Sequence, residues 1–561
     1  MMKKIKHILL LVDNFNSLSQ AVYVWLFDRG FELSVVYAIN QTQMQNEIFD
    51  LDPDLILAPF LTKYIPEKIF EKYPTFVFHP GPIGDRGPNS LEWALLNKNK
   101  TWGAVWLRAD QEFDGGDIFA KRDFKIKMKK KSALYRQDMS FFATEMLEEL
   151  LENIKTKSSI PQILNPIHPK IPKITINWEK DTTKEILEKV FLLDSKPGIL
   201  DEILGIKCYL FGAWEEEKLG KDPKIKPKTV IAKRAGAICL KTVDGAIWIS
   251  HLKEPNRFKL PATYVLKEKL KGVKENRLPL IFDKSYKTFY EIWGEAKENI
   301  FYLHFNFHNG AMSSAQCIEL KYAIEYLKEE FEIIVLMGGD EFFSNGIHLN
   351  ILEDSKKQGE DGWSNINAIN NLVESILFAQ DTLFITSFEK NAGAGGVFLG
   401  LASDIVVARN NVVLNPHYKS LGLDGSEFHT YTLPKRVGKD KALKLLDDLM
   451  PISATYAKEI GMVDEVFGSK NYLENLKKFV ESIAKDDDKI FELLEEKREN
   501  LERDFDLILE KKDEELKIIY PQFWEKNSLF HKLRKEFVYK LCPIKTPERF
   551  QKTQKRKKSH A

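Results

Sequence analysis

The stretch from Lys155 to Lys173 carries four prolines, Pro161, Pro166, Pro169 and Pro172, and no regular element can run through it. The stretch suggests a linker and a domain boundary, and a chain of 561 residues is too long for one hydrophobic core. Upstream, apolar runs at Ile8–Val12, Leu33–Ala38, Leu55–Ala58 and Thr75–Phe78 alternate with amphipathic stretches such as Ser19–Arg29, the pattern of βαβ units around a parallel sheet. Downstream, Ile174–Trp178, Lys207–Phe211, Ala237–Thr242 and Ala246–Leu252 read as short strands, with a helix over Lys184–Leu193. From about Ser285 the strand and helix alternation returns, with strands at Ile300–Phe305, Glu332–Met337, Thr382–Ser387 and Asp404–Ala408 and helices at Ala315–Lys328 and Ser364–Ala379. Last, Asp487–Leu516 sets Ile490, Leu494, Leu501, Phe505 and Ile508 at helical spacing among many Glu and Lys, an amphipathic helix that packs within the chain or on a partner. The expected fold class is α/β multidomain: a Rossmann-like domain over residues 1–170, a small β-rich, OB-like domain over 171–280, an α/β domain over 281–485, and a helical extension with a basic tail over 486–561.

Composition narrows the function classes. The 83 basic and 82 acidic side chains nearly cancel, which leaves no general attraction to nucleic acid or to a membrane surface. Only the tail from Lys552 to Lys558 is locally basic, as a solvated terminus is. Cys208, Cys239, Cys317 and Cys542 are far apart and form no metal-ligand spacing, so no metal site is expected and the chain reads as made for a reducing, cytoplasmic compartment. The apolar run Ile8–Val12 stops at Asp13 and is a first strand rather than a leader, and no stretch is long enough to cross a bilayer. The loop Asp13–Gln20 lacks GxGxxG, so a nicotinamide cofactor is not expected.

One candidate site follows the strand Thr75–Phe78. His79 leads at once into a Pro/Gly loop, and Asp114-Gly115-Gly116-Asp117 puts two carboxylates on a glycine turn before Ile118–Ala120. An imidazole that titrates near neutral pH and a carboxylate that orients it make a proton-transfer pair. A capped strand end and a plain turn would read the same way. His79-Pro80 with the Arg86-Gly87-Pro88 loop, Trp102-Gly103-Ala104-Val105 and Asp114-Gly115-Gly116-Asp117-Ile118 resembles the formyltetrahydrofolate-dependent transferases, methionyl-tRNA formyltransferase among them. Ile176-Asn177-Trp178, Lys196-Pro197-Gly198 and Asp244-Gly245-Ala246 are similar to that family's C-terminal domain. The resemblance implies catalytic roles for His79 and Asp117, and folate contacts from Gly81, Asp85, Arg86, Gly87 and Asp114. Val77 stands where the family has its catalytic asparagine, so an amide donor worth about a hundredfold in rate is missing. A thiol acceptor, intrinsically a stronger nucleophile than an amine, asks less of such a site.

A second candidate site joins two glycine loops. Gly338-Gly339 leads through Ser344-Asn345-Gly346-Ile347, and Ala392-Gly393-Ala394-Gly395-Gly396 follows some fifty residues on. Glycines let backbone N–H groups approach a ligand, and two such loops make an oxyanion hole for a thioester carbonyl. The pair resembles the crotonase (enoyl-CoA hydratase/isomerase) family, which implies N–H donors at Ile347 and Gly395 and coenzyme A contacts from Ala311, Ser344, Asn345, Gly346 and Gly396. The family's two hydratase glutamates fall at about Phe398 and His417, so hydration of a double bond is not expected. His417, Tyr418, Glu427 and His429 are the remaining polar groups, and the first three are the candidates for proton transfer on a bound acyl group.

The two modules in one chain, with His308-Asn309-Gly310-Ala311-Met312-Ser313, Ser344-Asn345-Gly346-Ile347-His348 and Pro416-His417-Tyr418-Lys419, resemble the nickel-iron hydrogenase maturation factors of the HypX or HoxX type. That resemblance implies use of 10-formyltetrahydrofolate and coenzyme A to produce carbon monoxide for the hydrogenase iron, with the hydrogenase large subunit or other maturation proteins as partners. The residues alone reach formyl transfer and thioester handling. They leave open a formyltransferase for an amine joined to a thioester hydrolase, and a scaffold without activity.

Overall fold

The computed structural model describes residues 4–280 and 286–551. The basic tail, the first three residues and the expected boundary near Ser285 lie outside the described residues. Three six-stranded sheets organise the described residues. In the first, β1 (His7–Val12), β2 (Glu32–Tyr37), β3 (Leu55–Phe60), β4 (Thr75–His79), β5 (Thr101–Arg108) and β6 (Ile118–Lys125) lie in the order β2-β1-β3-β4-β5-β6. The first four strands are parallel, and their near-continuous apolar runs are buried on both faces. The parallel sheet expected from the sequence ends there, because β5 and β6 pair antiparallel through the turn at residues 109–117. The turn leaves β5 beside Thr75 at the start of β4, and Asp114 within it comes back to His79 at the other end of that strand.

The proline-rich stretch behaves differently from a linker. Without regular structure, it lies along the first domain: Ile160 bridges Ile118, the Gln162 side chain accepts the Gly84 N–H (2.9 Å), and the Trp93 indole N–H donates to the Pro169 carbonyl (3.0 Å). Prolines suit this strap because it needs few of its own backbone donors. Ile174–Trp178, expected as a strand, is irregular, and Trp178 packs in the core and donates to Asp201 (2.7 Å). The second sheet is antiparallel throughout, running Ile199–Ile203, Ile206–Glu216, Ala246–Lys253, Ala237–Lys241, Val230–Arg234, with Leu260–Pro261 on Ala246–Lys253.

In the third sheet an antiparallel pair, Ile292–Lys297 and Ile300–Phe305, leads into parallel strands Ile333–Gly338, Leu383–Phe388, Ile405–Arg409 and Glu465–Phe467. Helices Ser314–Lys328 and Gln358–Leu377 cover it, the first closed by a Ser313/Gln316 capping box. The amphipathic helix runs Asp487–Trp524, longer than its sequence pattern, and packs within the chain. Ile490, Leu501 and Ile508 are on its buried stripe, whereas Phe505 is exposed. Among the described residues no helix is long and apolar enough to cross a membrane.

Candidate active sites

His79 ends β4 buried between carboxylates. Its Nε2 lies 2.6 Å from Asp85 Oδ2 and its Nδ1 is 3.5 Å from Asp114 Oδ2. Asp85 can reach back because Gly81 has no side chain: a Cβ there would run into both the Asp85 carboxylate and His79 Nε2. Asp114, in the left-handed region at φ 53°, is fixed by the Gly87 N–H (2.9 Å). Burial alone would depress the His79 imidazole, but the bond to Asp85 and the charges of Asp114 and Asp85 outweigh it and raise its pKa. Burial would likewise raise Asp85, yet its bond to His79 leaves its pKa lowered. The arrangement is an imidazole in a carboxylate cage that favours its charged form.

This geometry corrects one sequence expectation and adds to another. Asp117 is exposed, bonded to the Ser159 hydroxyl (3.0 Å), and is not the carboxylate that faces His79; Asp114 and Asp85 are. A glycine turn presents its two ends in different directions, and only the first reaches the loop after β4. Arg86 is buried and donates to the Phe113 and Asn165 carbonyls and to Glu112, so it clamps the turn and the strap together. Gly87 provides the close approach, with Ile167 of the strap packed where a side chain would sit. Val77 is half-buried on β4 as the sequence implies.

One residue escaped the sequence reading. His168 of the strap places Nε2 2.6 Å from Asp85 Oδ1 and stacks on Trp93 with ring centres 5.8 Å apart, so Asp85 bridges two imidazoles. Its His-Pro context resembles that of His79, which was the available signal.

At the second site the two glycine loops meet. Gly346–Ile347 pairs in parallel with Ala311–Met312, and a Cβ added to Gly346 would come within 3.1 Å of the Gly395 nitrogen. Gly395 opens the helix Gly395–Leu401, and a helix start leaves its first N–H groups without intrahelical acceptors. Directly on Gly395 lies the Glu427 carboxyl, which a Cβ at that glycine would strike. Tyr418 donates its hydroxyl to Glu427 Oε2 (2.6 Å), and the Phe398 ring, at the place of one hydratase acid, stacks on Tyr418 at 5.2 Å. Burial, only partly offset by the bond from Tyr418, raises the Glu427 carboxyl; burial and then the Glu427 charge raise the Tyr418 phenol well above its ordinary value. A carboxyl and a phenol in hydrogen-bond contact beside the converging glycine loops can move protons on a thioester bound there.

The other expected residues divide. Ser344 is fully buried, donates to the Gly310 carbonyl (3.2 Å) and accepts the Gly346 N–H (3.1 Å), while Asn345 bonds the Asn309 carbonyl (2.7 Å). With Gly396 pressed on the Ser344 backbone, they shape the loop rather than face a ligand. Ala311 is half-buried at the strand pair beside Gly346. His417 points elsewhere than its neighbour Tyr418: it bonds Ser420 (3.3 Å), and burial followed by the Arg549 charge pushes it down to about 3. His429 stands against Tyr418, ring centres 5.1 Å apart, with Nδ1 3.1 Å from Glu515 of the long C-terminal helix. Sequence reasoning missed Glu515 and Asn370, whose amide oxygen accepts the Glu427 N–H (2.8 Å). Glu427 and Phe428 are consecutive non-glycine residues with positive φ, 63° and 57°. Each costs about 1–2 kcal/mol and needs outside support.

Between the modules, Arg136 pairs with Glu341 and the Asn415 amide donates to Gln20 (3.0 Å). A cleft of about 330 Å³ opens there, with Arg29, Arg136, Lys390 and Arg409 among its walls.

Comparison with known proteins agrees with this two-part architecture. Residues 172–270 match the family described as "Formyl transferase, C-terminal domain", and residues 295–533 match "Enoyl-CoA hydratase/isomerase". The hydrogenase maturation factor HoxX of Bradyrhizobium diazoefficiens is 34% identical over 96% of this chain and 96% of its own length. A crystal structure of HypX from Aquifex aeolicus in complex with tetrahydrofolic acid is 40% identical, covers 98% of both chains and superposes with a TM-score of 0.93. Methionyl-tRNA formyltransferase of Fervidobacterium nodosum is 25% identical over 37% of this chain and 68% of its own.

Proposed function

The chain belongs to the HypX/HoxX family of hydrogenase maturation factors, and on that premise we propose that it makes carbon monoxide for the hydrogenase iron from 10-formyltetrahydrofolate, with coenzyme A as carrier. The observation that carries this reading is the Tyr418–Glu427 pair seated on Gly395, in a site where Phe398 and His417 stand in place of the two hydratase acids.

In this scheme the folate lies at His79, Asp85 and Asp114. The coenzyme A sulfur forms a bond to the formyl carbon as the bond to the folate nitrogen breaks. The thiol proton passes to the carboxylate cage, and the His79 imidazolium gives one to the leaving nitrogen, so protons balance. With Val77 unable to donate, the raised His79 is also the positive group that steadies the developing oxyanion. Formyl-coenzyme A then presents its carbonyl to the Ile347 and Gly395 N–H groups. Glu427 takes the formyl proton, its bonding pair stays on carbon as carbon monoxide forms, and the carbon–sulfur bond breaks. Tyr418 returns a proton to the thiolate and recovers one from Glu427. Coenzyme A emerges unchanged.

The cleft between the modules, where Asp28, Glu145 and Glu341 stand among the four basic side chains, offers Arg29, Arg136, Lys390 and Arg409 to the phosphates of coenzyme A, with the pantetheine arm reaching the sites. The product's destination makes the hydrogenase large subunit or another maturation protein the natural partner, and the cytoplasm the compartment. The test is carbon monoxide trapped by deoxyhaemoglobin from purified protein given 10-formyltetrahydrofolate. Release that needs coenzyme A supports the scheme; tetrahydrofolate without carbon monoxide would give the second module another job.

A further inference from the structure

The C-terminal helix Asp487–Trp524 carries Ile508, Glu515, Ile519 and Phe523 on its buried stripe. A carboxylate at a core position must find polar partners, and those of Glu515 belong to one short segment. Oε2 accepts the Phe428 N–H (3.0 Å), and Oε1 accepts the Thr430 N–H (2.7 Å) and hydroxyl (2.6 Å) and lies 3.1 Å from His429 Nδ1. From a second helix, Gln358–Leu377, the fully buried Asn370 accepts the Glu427 N–H (2.8 Å). The segment so gripped contains the two residues with positive φ, Glu427 and Phe428, neither of which favours that conformation by itself. Backbone strain of this kind persists only where surroundings over-determine it.

We propose that Glu515 and Asn370 are positioning residues of the second site: acting from two different helices, they lock Glu427–Phe428 in the left-handed conformation that keeps the Glu427 carboxyl on Gly395 and against the Tyr418 hydroxyl. The C-terminal helix is then part of that site. This rests on Tyr418 and Glu427 being the proton-transfer pair.

Two readouts separate the inference from the reading it rests on. Hydrogen exchange of peptides spanning residues 426–430 quickens about tenfold or more in Glu515→Ala while the sheets keep their protection, with Glu515→Gln, which retains one acceptor oxygen, in between. With formyl-coenzyme A as substrate, kcat falls about tenfold in Glu515→Ala and less in Glu515→Gln, KM stays within about twofold, and formyl transfer at the first site is unchanged. Should Glu515→Ala not fold, Glu515→Gln and Asn370→Ser give the same comparison. Unchanged exchange at 428–430, or faster exchange with wild-type kcat, overturns the inference. A wild-type protein that leaves formyl-coenzyme A intact removes the proposed reaction and with it the catalytic half of the inference, and the exchange data alone then decide whether Glu515 holds the segment.

Discussion

The two candidate sites hold protons by opposite means. At the first, imidazole and carboxylates are set against one another as ions: His79 is raised and Asp85 lowered, each because the other is there. At the second, burial does the work: Glu427 and Tyr418 are both pushed toward their neutral forms, with no Lys or Arg among the described residues bonded to either. An ionic cage suits a step in which charge develops on folate nitrogen and oxyanion. A buried carboxylate whose proton affinity is raised suits removal of a weakly acidic formyl proton, since a carboxylate stripped of water is a stronger base. The supports differ too, a proline strap at the first site and a long helix at the second.

The comparison can be broken at several points. The largest effect is expected from Glu427→Gln, which keeps shape but cannot accept a proton: carbon monoxide formation from formyl-coenzyme A should fall about a thousandfold, with tetrahydrofolate formation untouched in a single turnover. Next, Asp114→Asn should cost formyl transfer about a hundredfold, as removal of a charge at the reacting group does, whereas Asp117→Asn, at the exposed end of the turn, should cost less than about threefold. Equal losses in the two variants would restore Asp117 to the site.

A smaller effect concerns pH. Because Asp85 raises His79, Asp85→Asn should move the titration of His79, followed by NMR of its ring, to lower pH. The sign carries over to stability. The raised His79 contributes fully below its ordinary 6.5 and loses its contribution as pH rises through the folded value. The lowered Asp85 contributes above its ordinary 3.8 and loses it as pH falls through its folded value. Protection of strap residues 157–173 against proteolysis should therefore be greatest between those limits and decline on either side. The smallest effect is expected of His168→Ala, a few-fold loss of formyl transfer together with easier cleavage of the strap. A loss as deep as that of Asp114→Asn would make His168 a catalytic group instead.

Much of the fold was legible because buried parallel strands announce themselves: Ile333–Gly338, Leu383–Phe388 and Ile405–Arg409 lie within a residue of their apolar runs. The antiparallel turn at β5–β6 was not, since alternating and continuous apolar strands blur over short spans. Both glycine loops and His79 could be found because chemistry and local sequence coincide there. Choosing Asp114 over Asp117 could not be done by spacing; it depends on which way a left-handed residue turns. The strap concealed His168 because an extended proline segment has no periodicity to signal burial. Glu515 had one detectable mark, a carboxylate on the apolar stripe of a helix, which is the kind of conflict that a functional site leaves in a sequence.

The central claim is that one chain divides two steps between two sites, and substrate bypass tests it most directly. His79→Ala and Glu427→Gln would each be given 10-formyltetrahydrofolate with coenzyme A, and separately formyl-coenzyme A, with carbon monoxide trapped in every case. The account predicts that His79→Ala releases carbon monoxide only from formyl-coenzyme A, and Glu427→Gln from neither. Failure of His79→Ala with formyl-coenzyme A, or undiminished release by Glu427→Gln, would contradict it.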